Sequence, residues 1–485
     1  MRVLLASSEV YPFAKTGGLA DVAGALPKAL KRIGVDVRVI LPKYKGVEEK
    51  GFPVTYNNYT FACPIAQRSV SGEVVESEYD GIPAYLIEKD EYFYRDNLYS
   101  TQDGDYLDNA ERFIFFSKSI LEAVKLTGWY PDVLHCNDWQ TGLVPLFLRA
   151  LFKDDPRLAR TATLFTLHNL GYQGLFWHYD MHLLNLGWEY FTPECLEFYG
   201  KINFLKAGIV SSDIINTVSK KYSEEIQTSE FGSGLEGVLR GRRADLYGIV
   251  NGVDYDEWNP GADPYITTHY TPETLLLKAS NKAELQKAFG LPIKPDLPLA
   301  ASISRLADQK GFDLIASALE EMLSLGMQYV LLGTGERAYH ELFTALSQKH
   351  PKSFAVKIAY DNALAHLIEA GADMFLMPSR YEPCGLNQIY SLKYGTVPVV
   401  RGVGGLEDTI RDDPESAGNA TGFKFYEYTA EAMLDTVKRA LSAYHDKDAW
   451  QNLLKRCMRE DFSWDRSATE YVALYKKALE KHGFR

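Results

Sequence analysis

Three loops in this 485-residue chain carry the residue types and spacings that could manage a phosphate-bearing substrate. The first is Lys15-Thr16-Gly17-Gly18-Leu19-Ala20-Asp21-Val22, which follows an apolar run at 3–7 and opens a helical pattern. Backbone N–H groups at such a turn, together with the helix dipole, favour an anion, and glycine lets a phosphate approach the backbone closely. The spacing is not GxGxxG, so a dinucleotide fingerprint is absent. A tight turn beside a solvated lysine is the plainer alternative. The second loop is 303–311, Ile-Ser-Arg-Leu-Ala-Asp-Gln-Lys-Gly. Arg305 and Lys310, five apart, could converge on one doubly charged group and support a departing diphosphate. Two solvated surface charges would read the same way. The third loop is 378–388, Pro-Ser-Arg-Tyr-Glu-Pro-Cys-Gly-Leu-Asn-Gln. It puts the carboxylate of Glu382 just ahead of a helix expected from about Leu386, whose free N–H groups suit phosphate; helix capping is the alternative role for Glu382. Cys384 reads as a small buried residue.

Two further segments suit a sugar. His135-Cys136-Asn137-Asp138-Trp139-Gln140 and His168-Asn169-Leu170-Gly171-Tyr172-Gln173-Gly174 each follow a predicted strand. They combine donors and acceptors for hydroxyls with flat rings for pyranose faces. A lone histidine at a strand end is more often structural, and His135 with His168 lacks a third ligand at metal-site spacing.

The elements that must position these loops are short apolar runs alternating with longer helical patterns. Strands are expected at 3–7, 35–41, 84–87, 133–135, 163–167 and 214–218. A second series falls at 299–303, 329–332, 354–358, 374–377 and 397–400. Such runs read as buried parallel strands of an α/β fold, whose ligands bind at the strands' carboxyl ends. The stretch 248–264, rich in Gly, Asp, Asn and Pro, reads as a connection, with a boundary near 255–265. Gly-Gly-Leu-x-Asp occurs at 17–21 and again at 404–408, an internal echo that suggests two related folds.

Bulk properties narrow the function. Lys and Arg total 52 against 64 Asp and Glu, a net charge of −12, which disfavours a nucleic-acid partner. An acidic surface is no obstacle to a neutral polysaccharide. Five scattered cysteines without a CxxC pair point to a reducing, cytoplasmic setting. The N-terminus has neither the apolar stretch of a signal peptide nor that of a membrane span.

The motifs KTGGLADV, HCNDWQTG, LHNLGYQG, GIVNGVD, SRLADQKG, PSRYEPCGLNQ with YGTVPVV, and VGGLEDT, in this order, resemble the bacterial and plant glycogen/starch synthase family. That resemblance implies a GT-B architecture: two Rossmann-like domains facing a cleft, at 1–255 and 256–461, with a final helix within 462–485 returning to the first. It implies a retaining glucosyltransferase that moves glucose from ADP-glucose to the non-reducing end of an α-1,4-glucan. Lys15, Asp21 and the backbone of Gly17 and Gly18 would contact the donor, with Arg305 and Lys310 on its diphosphate. Glu382, Asp138 and His168 would stand beside the sugar. Gly385, Leu386 and Asn387 would offer backbone N–H groups, Asn251 would touch the donor, Tyr360 the adenine and Tyr99 the acceptor. The family often has Thr where Asn387 and Val403 stand, which puts side-chain phosphate contacts there in doubt. The implied mechanism is front-face, with the leaving phosphate helping to deprotonate the acceptor hydroxyl and cleft closure excluding water. No cofactor or metal is expected, because Lys15, Arg305 and Lys310 can neutralise the phosphates. No membrane partner is expected either. A UDP-glucose-using or sucrose-forming relative is the main rival reading. A non-catalytic glucan-binding protein would have lost some of Lys15, Arg305, Lys310 and Glu382, and all four are present.

Overall fold

The computed structural model describes residues 1–101, 104–412 and 418–483. The chain divides into two compact units. The first comprises Met1–Val218, Ser223–Gly252 and the chain from Trp464 onward; the second comprises Val253–Ser463 and the short segment Ser219–Tyr222. Residues 253–255, expected with the first domain, belong to the second unit, and the terminal helix runs Trp464–His482.

In the first unit, among the described residues, nine strands form one sheet. Seven are parallel, in the order Leu246–Gly248, Ile214–Thr217, Ala162–Leu167, Val133–Asn137, Arg2–Ala6, Asp36–Pro42 and Ile82–Glu88. The sheet continues into an antiparallel pair, Arg68–Tyr79 and Thr55–Ile65, which the sequence reading missed. Its strands carry polar and exposed residues, and a register shift interrupts the pairing between Tyr56 and Tyr59. They lack the continuous apolar run by which buried parallel strands are recognised.

Val3, Leu5, Val39, Val133, Leu164 and Ile214 of the parallel strands pack under the helix Gly18–Arg32, which contributes Val22, Leu26 and Leu30. Tyr471 and Tyr475 of the terminal helix join the same core. A buried polar relay fixes that helix. Tyr475 Oη lies 2.9 Å from His135 Nδ1, His135 Nε2 lies 2.7 Å from Thr166 Oγ1, and Thr166 donates to Asn216 Oδ1 at 2.6 Å. Since the Thr166 proton points at Asn216, His135 Nε2 is the donor and Nδ1 accepts from Tyr475. Burial depresses this imidazole to about 3, so it stays neutral. His135 is therefore a structural histidine, as its lone position suggested.

Among the described residues, the second unit holds six parallel strands in the order Phe354–Ile358, Gln328–Gly333, Leu299–Ile303, Met374–Met377, Val397–Arg401 and Phe423–Phe425. Leu299 and Ala301 face a core with Leu285, Leu364 and Ile368. Ala300 faces the opposite core, with Phe312, Ile315 and Met374. Burial on both faces is what a doubly wound sheet requires, and the strand order is that of a Rossmann fold. The order reverses between Leu299–Ile303 and Met374–Met377. Loops leaving the carboxyl ends of strands at such a reversal form a ligand crevice. Among the described residues no helix is long and apolar enough to cross a membrane.

Candidate active site

In the first unit the order reverses at Arg2–Ala6, which lies between Asp36–Pro42 and Val133–Asn137. The chain leaving Ala6 reaches Glu9, a buried carboxylate absent from the sequence-based candidates. It organises the glycine loop. Glu9 accepts the Thr16 hydroxyl at 2.6 Å, the Thr16 backbone N–H, and the Gly17 N–H at 3.2 Å. It also accepts Tyr99 Oη at 2.8 Å, which ties the predicted acceptor-side tyrosine to the predicted phosphate loop. Tyr99 is in turn set by Arg112, a fully buried guanidinium that donates to the Leu98 carbonyl and to Asn109, whose amide holds the Tyr99 carbonyl. The one signal for Glu9 was its place, at the carboxyl end of the first strand.

The helix begins at Gly18 with Gly17 as its N-cap. Gly17 is extended, at φ −153°, and a Cβ on either glycine would meet no protein atom within 4 Å. Neither packing nor backbone strain demands glycine there. Lys15 Nζ pairs with Asp21 at 2.6 Å, both side chains about one-third exposed (35% and 32%). Burial raises the Asp21 carboxyl and Lys15 partly opposes it.

Asp138 and His168 are brought together. Asp138 sits at φ +55°, a left-handed conformation rare outside glycine, and its Oδ1 accepts the His168 backbone N–H at 2.7 Å. Burial raises the Asp138 carboxyl to about 7, and the Glu9 charge adds to the rise. His168 Nε2 lies 2.9 Å from Asn137 Oδ1. The Asn137 amide nitrogen already donates to the Ala6 carbonyl, so its oxygen faces the ring and Nε2 carries the proton. That leaves Nδ1 as the lone-pair nitrogen. Burial holds this histidine at about 3 and hence neutral. Asn251 follows the edge strand Leu246–Gly248; its Oδ1 is buried and has no hydrogen-bond partner among the described residues.

In the second unit the loops at 304–311 and 378–386 leave the two strands that flank the reversal. Lys310 Nζ lies 2.6 Å from Glu382 Oε2, and Ser379 Oγ donates to the same oxygen at 3.0 Å. Glu382 is almost wholly buried, with 6% of its side chain exposed. It is not a helix cap, since Leu386 precedes the helix Asn387–Tyr394. Arg305 is exposed and reaches Gln309 at 3.4 Å, while Lys310 pairs with the buried Glu382 carboxylate.

Gly385 adopts φ +70° ahead of that helix. The Asn387 side chain donates to the Ile303 carbonyl at 2.8 Å, which fastens the helix start to the first strand of the reversal. Tyr360 is exposed at the end of the edge strand Phe354–Ile358, two strands from the loop that carries Lys310. Among the described residues no three His, Cys, Asp or Glu side chains are grouped so as to hold a metal ion.

This chain matches the starch synthase catalytic domain over residues 2–241 and glycosyl transferases group 1 over residues 284–455. It is 49% identical to a glycogen synthase of Koribacter versatilis, with 99% of each chain covered. It is 47% identical to a glycogen synthase of Thermosipho africanus, with 99% of this chain and 100% of that one covered. Its fold is similar to the solved catalytic domain of starch synthase IV from Arabidopsis thaliana, bound to ADP and acarbose, at a TM-score of 0.89 and 32% identity over 99% of each chain. A sucrose-phosphate synthase from Thermosynechococcus elongatus shares the fold alone, at a TM-score of 0.60 and 17% identity over 98% of each chain. The fold is GT-B, and the chain belongs to the glycogen and starch synthase family of glucosyltransferases.

Proposed function

We propose that this glucosyltransferase transfers glucose from ADP-glucose to the 4-hydroxyl at the non-reducing end of an α-1,4-glucan, with retention of configuration. The observation that carries the reading is the buried Glu382 carboxylate, paired with Lys310 at the strand-order reversal. It puts an anion and a cation where a sugar diphosphate would bind in an open α/β sheet. The starch synthase similar to this chain was solved with ADP bound, which supports adenine as the donor base.

In this mechanism Lys310 and Arg305 take up charge as the bond from the anomeric carbon to the phosphate oxygen breaks. Lys15 and the N–H groups of Gly17 and Gly18 hold the phosphates. Charge neutralisation rests on these groups, without a resident metal. The acceptor O4 bonds to the anomeric carbon on the face the phosphate leaves, and the hydroxyl proton passes to a departing phosphate oxygen. ADP and a glucan one unit longer result. Glu382 orients the glucosyl ring and stabilises positive charge at the anomeric carbon. Asp138 and the His168 Nδ1 lone pair accept hydrogen bonds from the sugar hydroxyls. No disulfide joins any of the five cysteines, in keeping with a cytoplasmic setting.

The test is nucleotide release with ADP-glucose or UDP-glucose and glycogen as acceptor. ADP-glucose is expected to give the higher kcat/KM. An equal or higher value with UDP-glucose would overturn the donor assignment.

A further inference from the structure

Among the described residues the two exposed tryptophans, Trp177 (62%) and Trp188 (59%), lie in one segment of the first unit. Tyr179 (55%) and Tyr199 (82%) are exposed in the same segment. Single exposed apolar side chains need no explanation, but a cluster of large rings marks a binding surface.

The segment is built around a small sheet of Leu175–Trp177, Lys201–Asn203 and Glu197–Phe198. Strand alternation divides the rings of its first strand. Phe176 turns inward, 5.7 Å from Trp139 and 4.6 Å from Phe204 between ring centroids, and Trp139 directly follows Asp138. Trp177 turns outward, opposite Lys201. One short strand thus sets one ring against Trp139, the chain neighbour of Asp138, and the next in solvent.

The exposed rings are held in place. Trp177 and Tyr179 lie 4.4 Å apart at 57°, and the His178 ring sits 4.3 Å from Tyr179 and 6.2 Å from Phe191. Phe191 meets Trp188 edge-on at 5.6 Å. His178 Nδ1 donates to the Gly200 carbonyl at 3.2 Å, which links this row to the turn carrying Tyr199. In that turn Tyr199 and Gly200 both have positive φ, +50° and +77°. Asn or Gly would occupy the first position without strain. The fold instead keeps a tyrosine there, with its ring in water.

Rings fixed this way lose little freedom on binding. Beside them in the chain stand Asp180, His182, Glu189, Glu197 and Lys201, all exposed or half-buried, a mixed set that offers partners to hydroxyls. It holds no cluster of basic residues for a polyanion. An α-glucan presents C–H faces for the rings and hydroxyl edges for these polar groups. We propose that the strip formed by Trp177, Tyr179, Trp188 and Tyr199 is a second α-glucan-binding surface, which holds the polymer at a distance from the reacting end. The inference rests on the glucan acceptor proposed above.

The test uses the full-length protein with Trp177→Ala/Tyr199→Ala and, separately, Trp188→Ala. In native gels containing glycogen and no donor, wild-type protein is retarded, and each variant is expected to bind glycogen about tenfold more weakly, the scale of losing a central aromatic contact. KM for glycogen rises, while kcat with maltotriose, KM for ADP-glucose and the unfolding midpoint stay unchanged. Equal retardation of wild type and variants overturns the strip and leaves the transferase reading intact. A wild type that neither binds nor extends glycogen overturns the transferase reading, and the strip with it. A wild-type dimer in sedimentation velocity that the variants dissolve would make this face a subunit interface instead.

Discussion

Gly17 and Gly18 introduce a helix of 15 residues in the first unit, whereas Gly404 and Gly405 open one of 6 residues in the second. Both pairs belong to the sequence Gly-Gly-Leu-x-Asp, and both follow a parallel strand. What lies above the glycines differs. The first pair faces open space, and no protein atom would meet a side chain within 4 Å. Above the second pair lies the backbone of the Glu382 loop: a Cβ on Gly404 would run into the Glu382 carbonyl, and one on Gly405 into that of Cys384. The Gly405 N–H donates to the Glu382 carbonyl at 3.0 Å. The aspartates differ as well. Asp21 pairs with Lys15, while Asp408 accepts the Lys221 backbone N–H at 3.0 Å. One motif therefore leaves room for a ligand, and the other spends its small residues on seating a carboxylate. Identical letters acquire different roles from what fills the volume a side chain would have occupied.

The largest expected effect comes from closing the filled motif. Gly405→Ala must push the backbone at 382–384 aside, at a cost of about 3 kcal/mol, the upper range for overpacking a core. Urea unfolding should show that loss, with transferase activity abolished because Glu382 moves. A variant of wild-type stability and activity would show that this contact does not seat the carboxylate.

Lys310→Ala sharpens the same comparison from the ligand side. It removes the ion-pair partner of a buried carboxylate and leaves the Ser379 hydroxyl on that oxygen. Loss of one preorganised charge-stabilising donor should lower kcat by roughly 10²–10³. A change confined to KM would mean that Lys310 binds the ground state only.

Much of this arrangement could be read before the structure. The strands expected at 299–303, 354–358 and 374–377 coincide with Leu299–Ile303, Phe354–Ile358 and Met374–Met377, because buried parallel strands are written as plain apolar runs. Glu382 and Lys310 stood out as charges at strand ends, yet nothing in the spacing said that they would meet. That pairing arises because the two loops leave neighbouring strands, a fact of sheet order rather than of sequence distance. Glu9 was invisible for a related reason. Its partners Thr16, Gly17 and Tyr99 are set around it by the fold, and a single Glu in Ser-Ser-Glu-Val has no periodicity to mark it. The hairpin of Thr55–Ile65 and Arg68–Tyr79 escaped because its strands are half-exposed and carry a bulge. The echo of Gly-Gly-Leu-x-Asp was legible as two related folds, but its division of labour was not. Only the neighbouring atoms distinguish an open glycine from a filled one.

The central claim is that the open glycines of the first unit are kept for the donor's phosphate and not for the fold. Gly18→Ala tests it most directly, read as donor kcat/KM alongside the unfolding midpoint of the same protein. Alanine at the first helical position meets no protein atom and favours the helix by up to about 1 kcal/mol. The midpoint should therefore stay at or above that of wild type, while kcat/KM for ADP-glucose falls at least about tenfold, the scale of one hydrogen bond to a charged group. A lower midpoint with donor kcat/KM unchanged would contradict the claim and make Gly18 a packing residue like Gly405.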